Sequence, residues 1–394
     1  MIRITWFALY CGFLLSISAF SIDIILPAFL AISDGLEISV QQLQLIVPVY
    51  MIALGLGNPL YGALSDRIGR RPGIFIGLSI YLFGSVICGL ASSLDTMLIG
   101  RFFQGFGAAA APVLCRAMIR DRFEGMELAQ NMAIASMFFA LGPMLAPLLG
   151  FGVYALFGWR AVFGMLVLVG LTMVVATWFQ QETLAVAARR KRGLQLLWDD
   201  TLAIIRHPQS RHFIILSCFC TAMVLTFLTH APVIYDSLGA GSGVFATMFA
   251  LCSLGIVAGQ VINHRLIKNV GAARAATYAA WVIAATALVI FLASANGHMT
   301  TGLFTALMFS FNSCYLIVYS NFASLTLEPH GERAGSAAAM FGLLSYLFGS
   351  MIVVLVNFIT DAQLTHWALC FVVLAVITAV GARRWSSRLS VTLE

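Results

Sequence analysis

Charge is the scarcest property of this chain. Asp, Glu, Lys and Arg make up 10% of its 394 residues, against about 25% in a soluble domain whose surface water must wet. With 61% of residues hydrophobic, too few charges exist to coat a globule, so the outer surface must largely face lipid. Other absences narrow the function. No paired catalytic carboxylates, no His-rich metal set and no CxxC spacing are visible, so neither an enzyme nor a metal centre has a basis in the residues. Nothing resembles a nucleotide-binding loop, so ATP cannot be assigned as an energy source, and no cofactor is expected. The eight cysteines lie within or beside apolar runs, where cysteine behaves as a small hydrophobe.

What is present is length and oiliness in a repeating pattern. The first apolar run continues to about Ile32, too long for the core of a signal peptide, and is read as a retained span. A membrane helix needs roughly 20 mainly apolar residues to cross a core of about 30 Å. Twelve stretches qualify, at about 5–31, 43–63, 73–92, 97–117, 130–152, 161–180, 211–235, 243–264, 272–294, 299–322, 334–358 and 364–382. Short polar breaks at Ser92–Asp95 and Ser294–His298 separate spans three from four and nine from ten.

Positive charge tests this map independently. Of 22 Lys and Arg residues, 20 fall at the chain ends or in alternate connections, near 64–72, 116–129, 181–211, 264–274 and 323–333; Arg101 and Arg160 are the exceptions. Because Lys and Arg concentrate on the cytoplasmic side, both termini are expected there. The segment 182–210, with Arg189-Arg190-Lys191-Arg192, divides the chain into a six-helix bundle at 1–181 and another at 211–394. It reads as a solvated topological anchor, with anionic lipid as the other reading. These loops account for the net charge of +6, so nucleic acid is not needed as a partner.

The loop after span two reads Gly62-Ala-Leu-Ser-Asp66-Arg67-Ile-Gly69-Arg70-Arg71-Pro72. Glycine at 62 and 69 allows close approach and a tight reversal, and Asp66 can pair with arginines or a neighbouring helix N-terminus. Here the chain resembles the major facilitator superfamily, whose signature between spans two and three is G-x-x-x-D-R-x-G-R-R. The resemblance implies a conformational latch formed by Gly62, Asp66, Arg67, Gly69 and Arg70. Span four carries Arg101-Phe-Phe-Gln104-Gly105-Phe-Gly107-Ala, similar to the family pattern R-x-x-Q-G-x-G-A, in which the arginine is linked to proton transfer. A structural arginine satisfied by carbonyls is the alternative.

Asp23, in Ser21-Ile22-Asp23-Ile24-Ile25-Leu26-Pro27, is the one carboxylate well inside an expected span. By depth, Asp23 and Arg101 both fall in the outer half and could meet. Such a pair would hold Asp23 ionised until a proton or a cationic substrate competes for it; a salt bridge that never titrates is the competing view. The D-x-x-x-P spacing looks like the first-span motif of drug:proton antiporters of the bicyclomycin/chloramphenicol-resistance type, with Ile25 where their tyrosine usually stands. Span five holds Gly142-Pro143 and Pro147, residues that bend helices and suit a hinge. Gly142-Pro143 match part of the antiporter signature G-x-x-x-G-P-x-x-G-G, whose other glycines are replaced by Phe138, Ala146 and Pro147.

In the second half, His230 could titrate near a cavity or serve as a helix contact. Gly259-Gln-Val-Ile-Asn263-His-Arg265 echoes the first-half loop without its aspartate. Substrate sites in such folds lie near midplane, with apolar walls and a few polar groups. Candidates are Asp23, Tyr50, Asn58, Phe138, Phe227, His230, Asn312 and Tyr315.

The expectation is an all-α membrane protein of major facilitator fold, with twelve transmembrane helices in two six-helix bundles. The resemblance implies a proton-coupled exporter of small amphipathic compounds, phenicol-like or bicyclomycin-like drugs among them, working by alternating access as a monomer in a bacterial inner membrane. Its partners would be the small-molecule substrate, protons and the lipid bilayer. A transporter of a dedicated metabolite, such as a siderophore or a sugar, is the alternative.

Overall fold

Residues 5–189, 201–360 and 363–391 are described by a computed structural model, and among them helices, turns and loops occur without a strand. Twelve helices are long and apolar enough to cross a membrane. They are α1 (Trp6–Gly35), α2 (Val40–Ile68), α3 (Arg70–Gly89), α4 (Leu94–Arg122), α5 (Gly125–Phe157), α6 (Trp159–Trp178), α7 (Pro208–Ser237), α8 (Ser242–Val270), α9 (Ala272–Ala295), α10 (Thr301–Gly331), α11 (Ala334–Thr360) and α12 (Leu364–Ser386).

Each expected span has its helix. Several run past the apolar stretch because polar residues beyond the hydrocarbon still form good helix. Thus α4 continues through the charged turn to Arg122, and α5 begins at Gly125, before the oily run. The polar breaks are true helix ends. Ser93 caps α4 by accepting from the Thr96 amide (3.3 Å), and Thr300 caps α10 by accepting from the Leu303 amide (3.3 Å). The basic run at 190–192 lies outside the described residues; Arg189, just before it, follows a single 3₁₀ turn at Val186–Ala188.

The chain forms two compact units, Met1–Leu197 and Trp198–Glu394. Taken separately, they pair their helices in the same way. In the first unit α1 packs on α5, α2 on α4, and α3 on both α4 and α6. In the second, α7 packs on α11, α8 on α10, and α9 on both α10 and α12. Adding six to each number converts one list into the other, the mark of a repeated six-helix design.

Small residues set these approaches. A side chain on Gly105 of α4 would stand 2.2 Å from the Tyr50 carbonyl of α2, and one on Gly107 would stand 2.3 Å from the Tyr81 amide of α3. Backbones so close gain dispersion contacts that lipid cannot offer.

Four helices are not continuous: α2 is split into Val40–Leu43 and Ile46–Ile68, and α10 passes from α-helix over Thr301–Leu327 to 3₁₀ from Glu328. The first, α1, is α-helical over Trp6–Asp23, turns 3₁₀ over Leu26–Ala28 around Pro27, and resumes over Phe29–Gly35. In α4, one helical segment ends at Ala108 and a second starts at Ala110. By contrast, α5 runs unbroken over Gly125–Phe157 with Pro143 and Pro147 inside it.

Candidate functional site

The first unit contains a polar cluster in its apolar core, built around Arg101 on α4. Its side chain is fully buried, as are Ser21, Tyr50, Tyr81, Ser85 and Gln104 around it. Arg101 Nη1 donates to the Ser21 carbonyl of α1 (3.1 Å) and to Gln104 Oε1 (2.6 Å). Its Nε donates to the Ile46 carbonyl of α2 (3.3 Å), and the guanidinium carbon lies 4.5 Å from the centre of the Tyr50 ring.

The cluster closes through α3. Gln104 Nε2 donates to Ser85 Oγ (2.8 Å), which donates to the Tyr81 carbonyl (2.8 Å). Ser21 directs its proton to the Ile17 carbonyl (2.7 Å), so the Tyr81 hydroxyl, 2.8 Å away, donates to Ser21 Oγ. Tyr50 donates its hydroxyl to the Ser18 carbonyl (2.9 Å). Four helices thus share one hydrogen-bonded network, with Arg101 Nη2 left without a partner. A buried network of this kind fixes geometry, and each unmet donor in it is costly.

Asp23 is 3% exposed and is the single buried acid among the described residues. The expected ion pair with Arg101 is not formed: Arg101 is held instead by the Ser21 and Ile46 carbonyls and Gln104. The reason is rotational. Similar depth brings the two residues to one level, but Arg101 reaches the α1 main chain at Ser21, where a carbonyl freed near the helix break accepts it. Asp23 sits on the last α-helical residue before that break and makes no hydrogen bond among the described residues.

The loop between α2 and α3 forms a second cluster. Gly69 takes φ +108°, a conformation that side chains rarely adopt, and a Cβ there would lie within 2.4 Å of Glu182 Oε2. Arg70 Nη1 bonds Asp66 Oδ1 (2.6 Å) and Ser65 Oγ (2.7 Å), and its Nε bonds Asp121 Oδ2 of α4 (2.9 Å). Glu182, beyond α6, accepts from the amides of Arg70 (2.9 Å) and Arg71 (3.1 Å), meeting the positive end of α3. Arg71 Nη2 donates to the Trp178 carbonyl (2.7 Å). Arg67 is exposed. Gly62 does not mediate a close approach, since a Cβ there would meet only Val113 Cγ1 at 3.8 Å.

The other candidates scatter. Asn58 is buried with its Oδ1 unpartnered. Phe138 lies half-buried on α5, where Gly12 of α1 admits its ring and Phe13 contacts it at 5.0 Å. A Cβ on Gly142 would meet α1 at 4.0 Å, beside Ala19 and Phe20, and Pro143 and Pro147 follow on the same helix.

In the second unit, Phe227 is buried and stacked on Phe249 at 5.5 Å, and Asn312 donates to the Cys252 carbonyl (3.1 Å). Tyr315 is half-buried in a stack with Tyr319. His230 is 1% exposed, with Nδ1 2.9 Å from the Thr226 carbonyl and Nε2 3.2 Å from Thr360 Oγ1. Asn263, four residues after Gly259, bonds Ser320 and Asn321 of α10, joining α8 to α10 much as Arg70 joins the first-half loop to α4.

Several partners escaped the sequence reading. Glu182 and Asp121 complete the loop cluster from 112 and 51 residues away. Ser21, Tyr81 and Ser85 complete the Arg101 network. The one sequence cue was local: Asp121 is the lone acid between Arg120 and Arg122.

Two units of six membrane helices with matching pairings, a charged loop cluster after the second helix and a buried arginine network in the fourth define a multi-pass membrane transporter. The chain belongs to the Major Facilitator Superfamily, whose pattern matches residues 11–354. It is 27% identical over 372 residues to an uncharacterized MFS-type transporter, YdgK, of Bacillus subtilis (strain 168), covering 93% of this chain and 92% of that one. It is 25% identical to a bicyclomycin resistance protein homolog of Haemophilus influenzae, covering 88% and 87%. Among solved structures, the D-xylose-proton symporter superposes with a TM-score of 0.75 at 14% identity, covering 94% of this chain and 96% of that one. At that identity the likeness speaks for the fold alone.

Proposed function

We propose that this protein is a proton-coupled exporter of small amphipathic compounds in a bacterial inner membrane, with both termini cytoplasmic. The observation that carries the reading is Asp23: a buried carboxyl at a helix break, without a hydrogen-bond or ion-pair partner among the described residues. A carboxyl in such a place is costly to leave ionised and is a default functional site in a membrane helix. Two residues before Asp23, the Ser21 carbonyl of the same helix accepts from Arg101. Protonation at Asp23 thereby reaches the network that ties α1, α2, α3 and α4 together.

In the proposed cycle Asp23 takes a proton from the outside, substrate leaves outward, and the proton is released inside as the two six-helix bundles give alternating access to the two sides. The Arg70 cluster latches one conformation: its bonds to Asp66 and Asp121 tie the loop to the end of α4. The names of relatives support drug cargo: the bicyclomycin resistance protein homolog, and multidrug resistance protein D of Escherichia coli, 30% identical over 183 residues and 46% of each chain.

The test is a drug-susceptibility panel in a pump-deficient host, paired with uptake by everted vesicles under an imposed pH gradient, for wild type and Asp23→Asn. Wild type should raise resistance to some panel members and accumulate them in a gradient-dependent way, and Asp23→Asn should lose that gradient dependence. Unchanged, gradient-dependent transport in the variant would falsify the coupling role.

A further inference from the structure

Arg101 grips the main chain beside two helix breaks, one in α1 and one in α2. Its Nη1 donates to the Ser21 carbonyl (3.1 Å), just before α1 ceases to be α-helical at Asp23. Its Nε donates to the Ile46 carbonyl (3.3 Å), on the first residue after the gap between Val40–Leu43 and Ile46–Ile68. One buried polar side chain sits at each break, Asp23 at the first and Gln44 at the second.

Three groups there lack what burial demands. Gln44 is 0% exposed, yet neither its Oε1 nor its Nε2 has a hydrogen-bond partner. Nη2 of Arg101, also fully buried, has none. Asp23 makes no hydrogen bond among the described residues. Two residues of chain span at most about 7 Å, so Gln44 and Asp23 both start within a side chain's reach of the carbonyls that hold the guanidinium. Their chemistry is complementary: Arg101 and the Gln44 amide nitrogen donate, while the Gln44 oxygen and a carboxylate accept. No direct bond joins them, so the partner that would satisfy all three must be small and must donate and accept at once. Internal waters do this, typically with about three bonds to buried polar groups. The way in is short. Gln42 is exposed and Gln44 is not, so the site lies directly beneath the surface at the start of α2.

We propose that the two breaks enclose a buried water site, in which Gln44 and Nη2 of Arg101 hold water against the Asp23 carboxyl. Its consequence rests on the transport reading: the proton reaches Asp23 through this water, and Gln44 is a positioning residue for that step. A hydronium arriving in the site gives its proton to a carboxylate oxygen of Asp23 and remains there as water.

The waters are sought in the purified full chain by X-ray radiolysis in heavy-oxygen water, which oxidises side chains beside bound water. Ile46 and Tyr50, both fully buried, should take up label several-fold more than Phe163, which is equally buried. Gln44→Leu should cut that labelling several-fold and lower the melting temperature, because Arg101 and Asp23 lose their water. Gln180→Leu, at another buried amide of the same unit, should leave the labelling as it is. In everted vesicles, Gln44→Leu should displace the pH profile of transport. Ile46 and Tyr50 labelled no more than Phe163, or a higher melting temperature in Gln44→Leu, the mark of an amide buried dry, would overturn the water site. A pH profile that stays put would overturn the positioning role. Labelling needs neither cargo nor gradient, so failure of the Asp23→Asn test and failure of the water site are read separately.

Discussion

The guanidinium of Arg101 lies 4.5 Å from the centre of the Tyr50 ring, and the hydroxyl of that ring is turned away to the Ser18 carbonyl. The tyrosine therefore serves the arginine with its face and α1 with its edge. These two contributions can be separated by substitution.

Tyr50→Phe keeps the face and loses one hydrogen bond, a cost of about 1 kcal/mol. Tyr50→Leu also removes the cation–π contact, worth about 2 kcal/mol when desolvated. Thermal unfolding of the purified protein should rank wild type above Tyr50→Phe and that above Tyr50→Leu. Transport should follow the same order.

Gly105 has no room for a methyl group, because the obstacle is the Tyr50 main chain and not a flexible side chain. Gly105→Ala should cost about 1–3 kcal/mol through forced backbone shifts and distort the Arg101 network. Gly152 on α5 meets nothing within 4 Å, so Gly152→Ala should leave the melting temperature and transport unchanged.

Glu182 holds two amides at the start of α3. Glu182→Ala should lower stability by about 0.5–2 kcal/mol, the usual cost of a lost helix cap. Glu182→Gln should recover part of it, since the amide oxygen still accepts. Hydrogen exchange at the Arg70 and Arg71 amides gives the direct measure, with faster exchange expected in the alanine variant.

His230 has both ring nitrogens engaged: a tautomer protonated at Nδ1 donates to the Thr226 carbonyl and accepts from Thr360. His230→Leu should cost about 1–3 kcal/mol by stranding those groups. The pH profile of transport should stay as in wild type. A displaced profile would assign the histidine a part in proton movement.

Element identity was legible because a bilayer imposes one length and one polarity on every span, and Ser93 or Thr300 marks where a helix must begin. The Arg70 loop was legible because its residues are contiguous. Glu182 and Asp121 were hidden by chain distance, which only folding removes. The Asp23–Arg101 pairing failed for a different reason. Hydropathy fixes how deep a residue lies but not the direction it faces around its helix, and α1 unwinds right after Asp23, turning a carbonyl rather than the carboxyl toward the arginine.

The anchoring of Arg101 through the carbonyls of Ser21 and Ile46 has a further consequence. Peptide oxygens are common to all twenty amino acids, so exchange of the Ile46 side chain leaves the tether to α2 intact. Only a shift in the path of the main chain can release it. Any movement of α1 or α2 is felt at once by the arginine, as a rope is felt by the hand that holds it, whatever is dyed into the fibre.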